Sequence, residues 1–256
     1  MSTAFPTGSQ YGFFFDESRC IDCRACVIAC LDWYNIPAGP VKLARMFSWE
    51  EGTYPTLKLH LLFAPCYHCA NPVCVSVANG AMIKEGDYGA VLVNTNQANN
   101  PSLRAAAAAC PYGAIAFDSD APNANAFKCT MCIDRLAQGK LPACVAACPM
   151  RALDFDTLAN LKKKYGTNQQ LTGMPDPSAT QPSVVFKPQN PKTQLVPYDA
   201  TYAIQLMMNR PNGLPAVFNG TTALTGTSSS DVGRGTLNLI AKSTNDFIKN
   251  TQNDES

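Results

Sequence analysis

The sequence predicts an α+β fold organised around repeated cysteine motifs and followed by an extended C-terminal arm. Three observations support this fold class. All twelve cysteines of the 256-residue chain lie between Cys20 and Cys148, and their spacings repeat. Short apolar runs between the motifs are typical of short strands. The residues after the last cysteine become rich in proline, asparagine and threonine, so we expect a cysteine-rich module over residues 9–165 and an arm over residues 166–256.

The module is predicted to contain short strands and one capped helix. The strands are Tyr11–Phe15, Ala90–Val93 and Ala114–Phe117. Asp156 or Thr157 can cap a helix that runs to about Tyr165 and ends at Gly166. Short strands and small helices of this kind are expected to surround the cysteine motifs.

The C-terminal arm is predicted to be partly helical. Apolar stripes predict one helix over Asp199–Arg210 and a second around Leu237–Ile248. Because such an arm buries too little apolar surface to fold alone, we expect it to pack on the module or to provide contact with another subunit. A partly disordered tail is the alternative.

Composition excludes several classes of protein. Hydrophobic residues make up 46% of the chain, which indicates a packed globular protein. A net charge of +1 gives no electrostatic footprint for nucleic acid, and the longest apolar run, Ala105–Phe117, is too short to span a bilayer. Charged residues are only 15%, which favours a surface partly covered by a partner.

The twelve cysteines fall into motifs with repeated short gaps. They are Cys20, Cys23, Cys26 and Cys30 (C-x2-C-x2-C-x3-C); Cys66, Cys69 and Cys74 (C-x2-C-x4-C); Cys110, followed by proline; and Cys129, Cys132, Cys144 and Cys148 (C-x2-C-x11-C-x3-C). The first spacing is that of bacterial ferredoxins with two [4Fe–4S] clusters, in which three thiolates hold one cube and the fourth crosses to the other. Two-residue gaps let a tight loop wrap three corners of a cube.

This crossing pattern assigns the outer motifs to two clusters. Cluster 1 is predicted to be held by Cys20, Cys23, Cys26 and Cys148. Cluster 2 is predicted to be held by Cys129, Cys132, Cys144 and Cys30. The inner motifs lie between these two halves, so the module is predicted to be a duplicated two-cluster, ferredoxin-like fold with one copy nested in the other.

Compared with two complete C-x2-C-x2-C-x3-C motifs, the inner motifs lack four cysteines. The pattern in which the fourth cysteine of a motif binds the other cluster assigns all four missing ligands to a single site. The residues at those positions are Ala78, Asn100, Leu103 and Ala106. The remaining Cys66, Cys69, Cys74 and Cys110 form a complete set for cluster 3. Since random loss would rarely clear one site and spare its neighbour, the sequence predicts three [4Fe–4S] clusters and one vacated site. An alanine-rich helix capped near Asn100 is expected to fill the space.

Other uses of these residues remain open at this stage. Cys129–Cys148 in isolation suits a four-thiolate zinc site, and six disulfides would suit a secreted chain. The Cys20–Cys30 motif argues against zinc, and the absence of a secretory signal in Met1–Gln10 argues against disulfides. His68 is expected to be a hydrogen-bond donor beside a cluster or a turn residue, with ligation as the alternative.

Basic residues flank two of the predicted sites. They are Arg19, Arg24 and Arg151 around cluster 1, and Lys128 and Arg135 beside cluster 2. Positive charge near an anionic cluster stabilises its reduced form, so these side chains either raise reduction potentials or bind a partner's carboxylates. No constellation of residues for bond-making catalysis is evident, which favours electron transfer as the function.

The motifs from Tyr11 to Asp156 together resemble the iron–sulfur (beta) subunit of the DMSO reductase family of molybdenum and tungsten oxidoreductases. The usual pattern of that family has four clusters. Loss of one is similar to the small subunits of pyrogallol–phloroglucinol transhydroxylase and of some formate dehydrogenases. The stretch Cys66–Ala81, in which Asn79, Gly80 and Ala81 follow the first vacated position, is more similar to the transhydroxylase.

The resemblance implies a non-catalytic electron-transfer subunit with a large bis-pterin molybdenum or tungsten subunit as its partner. A further electron carrier or a membrane anchor is implied as a second partner, although loss of the fourth cluster argues against transfer to a membrane quinone subunit. A free-standing polyferredoxin is the alternative, which the low charge and the arm disfavour. We expect a chain that does not span the membrane, located in the cytoplasm or exported folded with a signal-bearing partner.

Overall fold

The computed structural model describes residues 4–53 and 57–189. These residues form the mixture of short strands and short helices that the sequence predicts. The strands are β1 (Tyr11–Asp16), β2 (Ala44–Glu51), β3 (Lys58–Pro65), β4 (Met82–Lys84), β5 (Val91–Val93), β6 (Ala116–Phe117), β7 (Ala126–Phe127), β8 (Leu153–Thr157) and β9 (Val184–Lys187). The helices are α1 (Ala25–Trp33), α2 (Val73–Val77), α3 (Ser102–Ala109), α4 (Ile133–Leu136), α5 (Ala143–Ala146) and α6 (Leu158–Tyr165).

Strand β1 is the centre of a three-stranded sheet in the order β8-β1-β9. It runs antiparallel to β8 and parallel to β9, and all six of its residues are buried. Both faces are covered, which explains its continuous aromatic sequence. Phe13 and Phe15 pack into the main core beside the cysteines, whereas Phe14 stacks on Tyr165 of α6 with ring centroids 3.6 Å apart.

Helix α6 has the ends that its sequence predicts. The Thr157 side chain accepts a hydrogen bond from the backbone N–H of Asn160 at 3.3 Å, which satisfies one of the free amides of the first turn. Gly166 ends the helix with φ of 93°, a conformation that costs little only for glycine. The predicted strand at Tyr11–Phe15 is likewise confirmed as β1.

The other sheets are two-stranded, and the longest is the β2–β3 hairpin. Its inner end enters the core through Leu61 and Phe63, while Phe47 and Trp49 remain partly exposed. His60 of β3 lies between the carboxylates of Glu17 at 3.0 Å and Glu51 at 2.9 Å.

The chain continues past the predicted module boundary at residue 165 into the same sheet. Strand β9 pairs with β1, and the Phe186 N–H donates to the Asn168 carbonyl at 2.8 Å. The apolar residues of β9, which lie within a proline-rich segment, thus form backbone hydrogen bonds with the edge of β1 that β8 leaves unpaired. The helices expected over 199–210 and 237–248 lie outside the described residues. Within residues 4–53 and 57–189, no helix is long and apolar enough to cross a bilayer.

Candidate metal centres

The twelve cysteines are all free thiols, and eight of them are buried. The disulfide interpretation is therefore not supported by the fold. Burial in apolar surroundings disfavours the thiolate form, and the pKa of most of these thiols is raised in consequence. Buried thiols of this kind become good thiolates when a metal supplies the compensating positive charge.

The first group of thiols contains the four residues predicted for cluster 1. Cys20, Cys23, Cys26 and Cys148 line one pocket. Burial, followed by repulsion from Cys148 and Cys20, raises the pKa of Cys26 to about 12. Helix α5 packs against α1. This contact brings the last motif close to the first, although more than a hundred residues separate them in the sequence.

The second group contains the residues predicted for cluster 2. Cys30 lies on α1, one turn after Cys26, and burial and the neighbouring Cys132 raise its pKa to about 12. Burial raises the pKa of Cys144 well above its usual value, and Cys129, Cys132 and Cys30 add to the effect. Helix α1 thus places Cys26, the third cysteine of the first motif, in the first group and Cys30, the fourth, in the second group.

The third group contains Cys66, Cys69, Cys74 and Cys110. Burial raises the pKa of Cys69 to about 12, with further repulsion from Cys66, Cys110 and Cys74. Cys74 lies on α2, and Cys110 ends α3. The helix pair α2–α3 packs together, which brings the lone cysteine beside the loop at residues 66–74.

The first C-x2-C loop of each of three motifs, at Cys20, Cys66 and Cys129, has the same backbone conformation. The residue two positions after the first cysteine has a left-handed φ in each loop: Asp22 at 52°, His68 at 44° and Met131 at 59°. This turn aims the backbone N–H back at the sulfur, and the distance from that nitrogen to Sγ is 3.4 Å for both Cys66 and Cys129. Amides that point at thiolate sulfur stabilise its negative charge.

The groups form a linear series through neighbouring cysteines. Cys26 of the first group interacts electrostatically with Cys30 and Cys144 of the second. Cys129 of the second group interacts with Cys66 of the third. The second group therefore lies between the other two.

The groups are wider than a site for one ion. Within the described residues, no three Cys, His, Asp or Glu side chains converge closely enough to hold a single metal ion. A structural zinc site needs all four sulfurs about 2.3 Å from one ion, whereas each thiolate of a [4Fe–4S] cube binds a different iron atom. Sets of four thiols fit the second requirement, since eight of the twelve are buried and the sulfurs of Cys66 and Cys129 each accept a backbone N–H.

Three of the four positions that lack cysteine meet in an aliphatic core. Ala78, Leu103 and Ala106 have 0% exposure and share one apolar cluster, which also contains Met82, Val91, Ile115 and Ala126. Asn100 lies at the edge, where its Oδ1 accepts a hydrogen bond from the Ser102 N–H at 2.9 Å. Ser102 in turn donates through Oγ to the Ala78 carbonyl at 2.7 Å. The predicted capped helix is present as α3.

His68 is fully buried, and one of its ring nitrogens has no partner. Nδ1 accepts a hydrogen bond from the Val91 N–H at 2.9 Å, which places the proton of the neutral ring on Nε2. Nε2 is buried without a hydrogen-bond partner among the described residues. Burial lowers the pKa of His68 well below its usual value, and the charges of Lys128 and Lys84 lower it further. A buried N–H donor beside Cys66 fits an anionic cluster.

Two pairs of hydroxyl groups lie at the second cysteine of a motif. The Thr180 hydroxyl opposes the rise in the pKa of Cys69 that burial causes, and its Oγ1 lies 2.8 Å from the Tyr112 hydroxyl. Tyr34 hydrogen-bonds to Cys132, and its hydroxyl lies 2.5 Å from Thr130 Oγ1. None of these four hydroxyl residues was predicted from the sequence. Thr180, for example, lies in the segment that was predicted to be the arm. Lys84, whose ammonium donates to the Cys69 carbonyl at 2.8 Å, was also missed.

The predicted arginines around the first group are exposed to solvent, although Arg24 also lines the pocket that holds its cysteines. Arg24 is 63% exposed and pairs with Asp22 at 3.5 Å. Arg19 and Arg151 are also exposed. Arg135 lies over the Trp33 ring, 4.2 Å from its centroid. Of the basic residues that the sequence singled out, Lys128 is the one that is buried.

Comparisons with known proteins find one matching family and several similar polypeptides. The family described as a 4Fe-4S dicluster domain matches residues 57–158. One polypeptide of the anaerobic dimethyl sulfoxide reductase of Escherichia coli is 36% identical over 189 residues, covering 70% of this chain and 89% of the relative. The formate dehydrogenase 2 subunit beta of Nitratidesulfovibrio vulgaris is 36% identical, covering 52% and 70%. Protein NrfC of Escherichia coli is 37% identical, covering 59% and 67%.

Proposed function

Since the chain belongs to the iron–sulfur beta subunits of the DMSO reductase and formate dehydrogenase family, we propose that it carries three [4Fe–4S] clusters and relays electrons to or from a molybdenum or tungsten bis-pterin catalytic subunit. The grouping of the twelve cysteines carries this proposal. Three sets of four thiols form, and each set takes three residues from one motif and one from another. When bound, the clusters supply one-electron redox chemistry.

The ligand sets follow from these groups. Cluster 1 takes Cys20, Cys23, Cys26 and Cys148; cluster 2 takes Cys129, Cys132, Cys144 and Cys30; cluster 3 takes Cys66, Cys69, Cys74 and Cys110. The linear series of the groups supports an electron path in the order 1, 2, 3. The aliphatic packing of Ala78, Leu103 and Ala106 supports the loss of a fourth cluster.

The repeated loop geometry supports a nested duplication of a two-cluster fold. In the outer and the inner motifs alike, the residue just before the second cysteine is left-handed, and its backbone N–H points at the sulfur of the first cysteine. On this proposal the outer copy contributes clusters 1 and 2, the inner copy contributes cluster 3, and the residues after the module serve as an arm for subunit contact.

An exposed apolar surface around cluster 1 supports docking of the catalytic subunit at that end. Ile21 is 60% exposed, Ile28 is 63% exposed and Met150 is 43% exposed. Cys23 of the same group is exposed as well. Apolar side chains clustered at an electron entry point are typical of a face that a partner covers.

The named relatives serve several reactions, and we propose a transhydroxylase-like or a formate dehydrogenase-like complex for this chain. The departure at Ala78–Ala81 favours the first, and the similarity to two formate dehydrogenase beta subunits favours the second. We propose that the complex is cytoplasmic or is exported with a signal-bearing partner. A free-standing polyferredoxin is the second candidate, and the exposed apolar surface around cluster 1 disfavours it.

Iron analysis of the full chain, purified anaerobically, tests the proposal. Three clusters predict about 12 Fe per chain, and Cys110→Ser is expected to lower this to about 8 by removing cluster 3. Asn100→Ala, at a position that lacks the family's cysteine, is the matched control and leaves iron at about 12. About 16 Fe, or stoichiometric zinc, would overturn the assignment. Migration of the native chain alone on size exclusion would favour the polyferredoxin.

A further inference from the structure

We propose that Lys84 and Lys128 are inward-facing cations that raise the reduction potential of cluster 3, with Lys128 acting on cluster 2 as well. The inference rests on the proposed function, because it requires a cluster at each thiol group. Cluster 3 then has two such charges, cluster 2 has one, and cluster 1 has only solvent-exposed arginines. Potentials are expected to rise from cluster 1 to cluster 3, so that an electron rests on cluster 3.

The position of Lys84 limits its influence to the third group. Its side chain is half-buried, and its ammonium donates to Gln10 Oε1 at 2.7 Å, to the Cys69 carbonyl at 2.8 Å and to the Gly89 carbonyl at 3.1 Å. Its charge interacts with the thiols of Cys69, Cys66 and Cys74, all of which belong to cluster 3. The amine is therefore held inward against one ligand loop.

Lys128 lies between the second and third groups. It is 5% exposed, and its ammonium donates to the Val91 carbonyl and, at 2.9 Å, to the Cys129 carbonyl. Its charge opposes the rise in the pKa of Cys74 and of Cys129, against the larger effect of burial on each. One thiol belongs to cluster 3 and the other to cluster 2.

Neither ammonium forms an ion pair within the described part of the chain. All their hydrogen-bond acceptors are carbonyl or amide oxygens, and no carboxylate lies within 4.0 Å of either nitrogen among residues 4–53 and 57–189. The carboxylate of Glu85, the neighbour of Lys84 in the sequence, accepts hydrogen bonds from the backbone N–H groups of Asp87, Tyr88 and Ala90. Buried cations without a counter-anion are costly, so an anion is expected close by.

The unpartnered ring nitrogen of His68 is an independent indication of that anion. His68 is fully buried, its Nε2 proton has no acceptor among the described residues, and both lysine charges act on its ring. Two ammonium groups and one N–H donor thus lie beside the ligand loop of cluster 3. No carboxylate among residues 4–53 and 57–189 lies within 4.0 Å of either ammonium, and Glu85 acts on Lys84 only from farther away. Sulfide and thiolate sulfurs would supply the missing acceptors.

The effect on potential follows from the charge change on reduction. A [4Fe–4S] core with four thiolates carries two negative charges when oxidised and three after it gains one electron. A fixed cation nearby stabilises the reduced state more, and low solvent exposure weakens screening. Exposed arginines such as Arg24, paired with Asp22, are screened and contribute less.

Redox titration followed by electron paramagnetic resonance tests this on the full chain, purified anaerobically with its co-purifying partner. Cys148→Ser, Cys30→Ser and Cys110→Ser assign the signals to clusters 1, 2 and 3. Lys84→Met is expected to lower the reduced-to-oxidised ratio of cluster 3 about tenfold at fixed potential, a shift of about 59 mV for one electron. Lys128→Met should shift clusters 2 and 3. Lys163→Met, on the exposed face of α6, is the control and should shift none.

The outcomes separate this inference from the proposed function. About 12 Fe and three signals, with cluster 3 unmoved in both Lys84→Met and Lys84→Gln, would overturn the inference and leave the clusters in place. If both variants lose the iron of cluster 3 while Lys84→Arg retains it, the need for the cation is supported. An unaltered chain without three separable clusters would overturn the proposed function, whatever the lysine variants show.

Discussion

Leu103→Ala tests whether a packed aliphatic core occupies the position from which we propose that a fourth cluster was lost. Leu103 is fully buried between α2 and the strands β4 and β5. Truncation of a buried leucine costs about 2–5 kcal/mol, depending on how far the surroundings collapse. Ala78 and Ala106, its neighbours, are too small to fill the space, so the upper half of that range applies. The better helix propensity of alanine returns only a few tenths of a kcal/mol.

A loss of about 3–5 kcal/mol is therefore expected, or a fall in Tm of roughly 6–20 °C for a domain of this size. Thermal unfolding under anaerobic conditions, followed by bleaching of the iron–sulfur absorption, measures it. Val77→Ala, which is 40% exposed on the adjacent helix α2, is the control and should change stability by only about 0.5 kcal/mol. If Leu103→Ala costs less than about 1 kcal/mol with iron unchanged, then Leu103 does not support this core in the way we argue.

Three further predictions concern the partner surface, the hydroxyl groups and the central strand. Ile28→Asp should reduce co-purification of the catalytic subunit with iron content unchanged, whereas Ile83→Asp, also at an exposed position but far from cluster 1, should not; equal losses would contradict the docking surface. Thr180→Val should lower the potential of cluster 3 by about 20–60 mV, the equivalent of one hydrogen bond, and Thr180→Ser should restore it. Gly12→Ala should displace β9 and speed oxidative bleaching, because a Cβ there would lie 2.3 Å from the Ser183 carbonyl oxygen; an unchanged bleaching rate would show that the strand absorbs the methyl group.

Local patterns in the sequence anticipated the parts of the fold that local chemistry determines. The aromatic run of β1, the Thr157 cap and Gly166 end of α6, and the helix before Cys110 follow from propensity and capping alone. The assignment of the cysteines to clusters also follows from the spacing, because the crossing of ligands between motifs is a property of the spacing itself, and it stays a prediction. These features need no knowledge of the distant chain.

The features that the sequence did not reveal depend on long-range contacts. Lys84 has no local signature, since its position beside Cys69 follows from the pairing of β4 with β5. Thr180 reaches the same cysteine only because the chain returns from α6 to place β9 along β1. His60 acquires two carboxylates in the same way, from a preceding loop and from the facing strand of its hairpin. Proximity of this kind is decided by tertiary packing rather than by residue type.

The central place of β1 in its sheet has a consequence for biosynthesis. Both strands that pair with it, Leu153–Thr157 and Val184–Lys187, are translated long after the aromatic segment that they cover. At ribosomal speeds of about 5–20 residues per second, the nascent segment waits roughly 7–28 seconds for its first partner strand and roughly 9–34 seconds for its second. During that interval its unpaired amides and phenyl rings are open to aggregation, so a cell that makes this chain is expected to shield its first residues until the last strand has emerged.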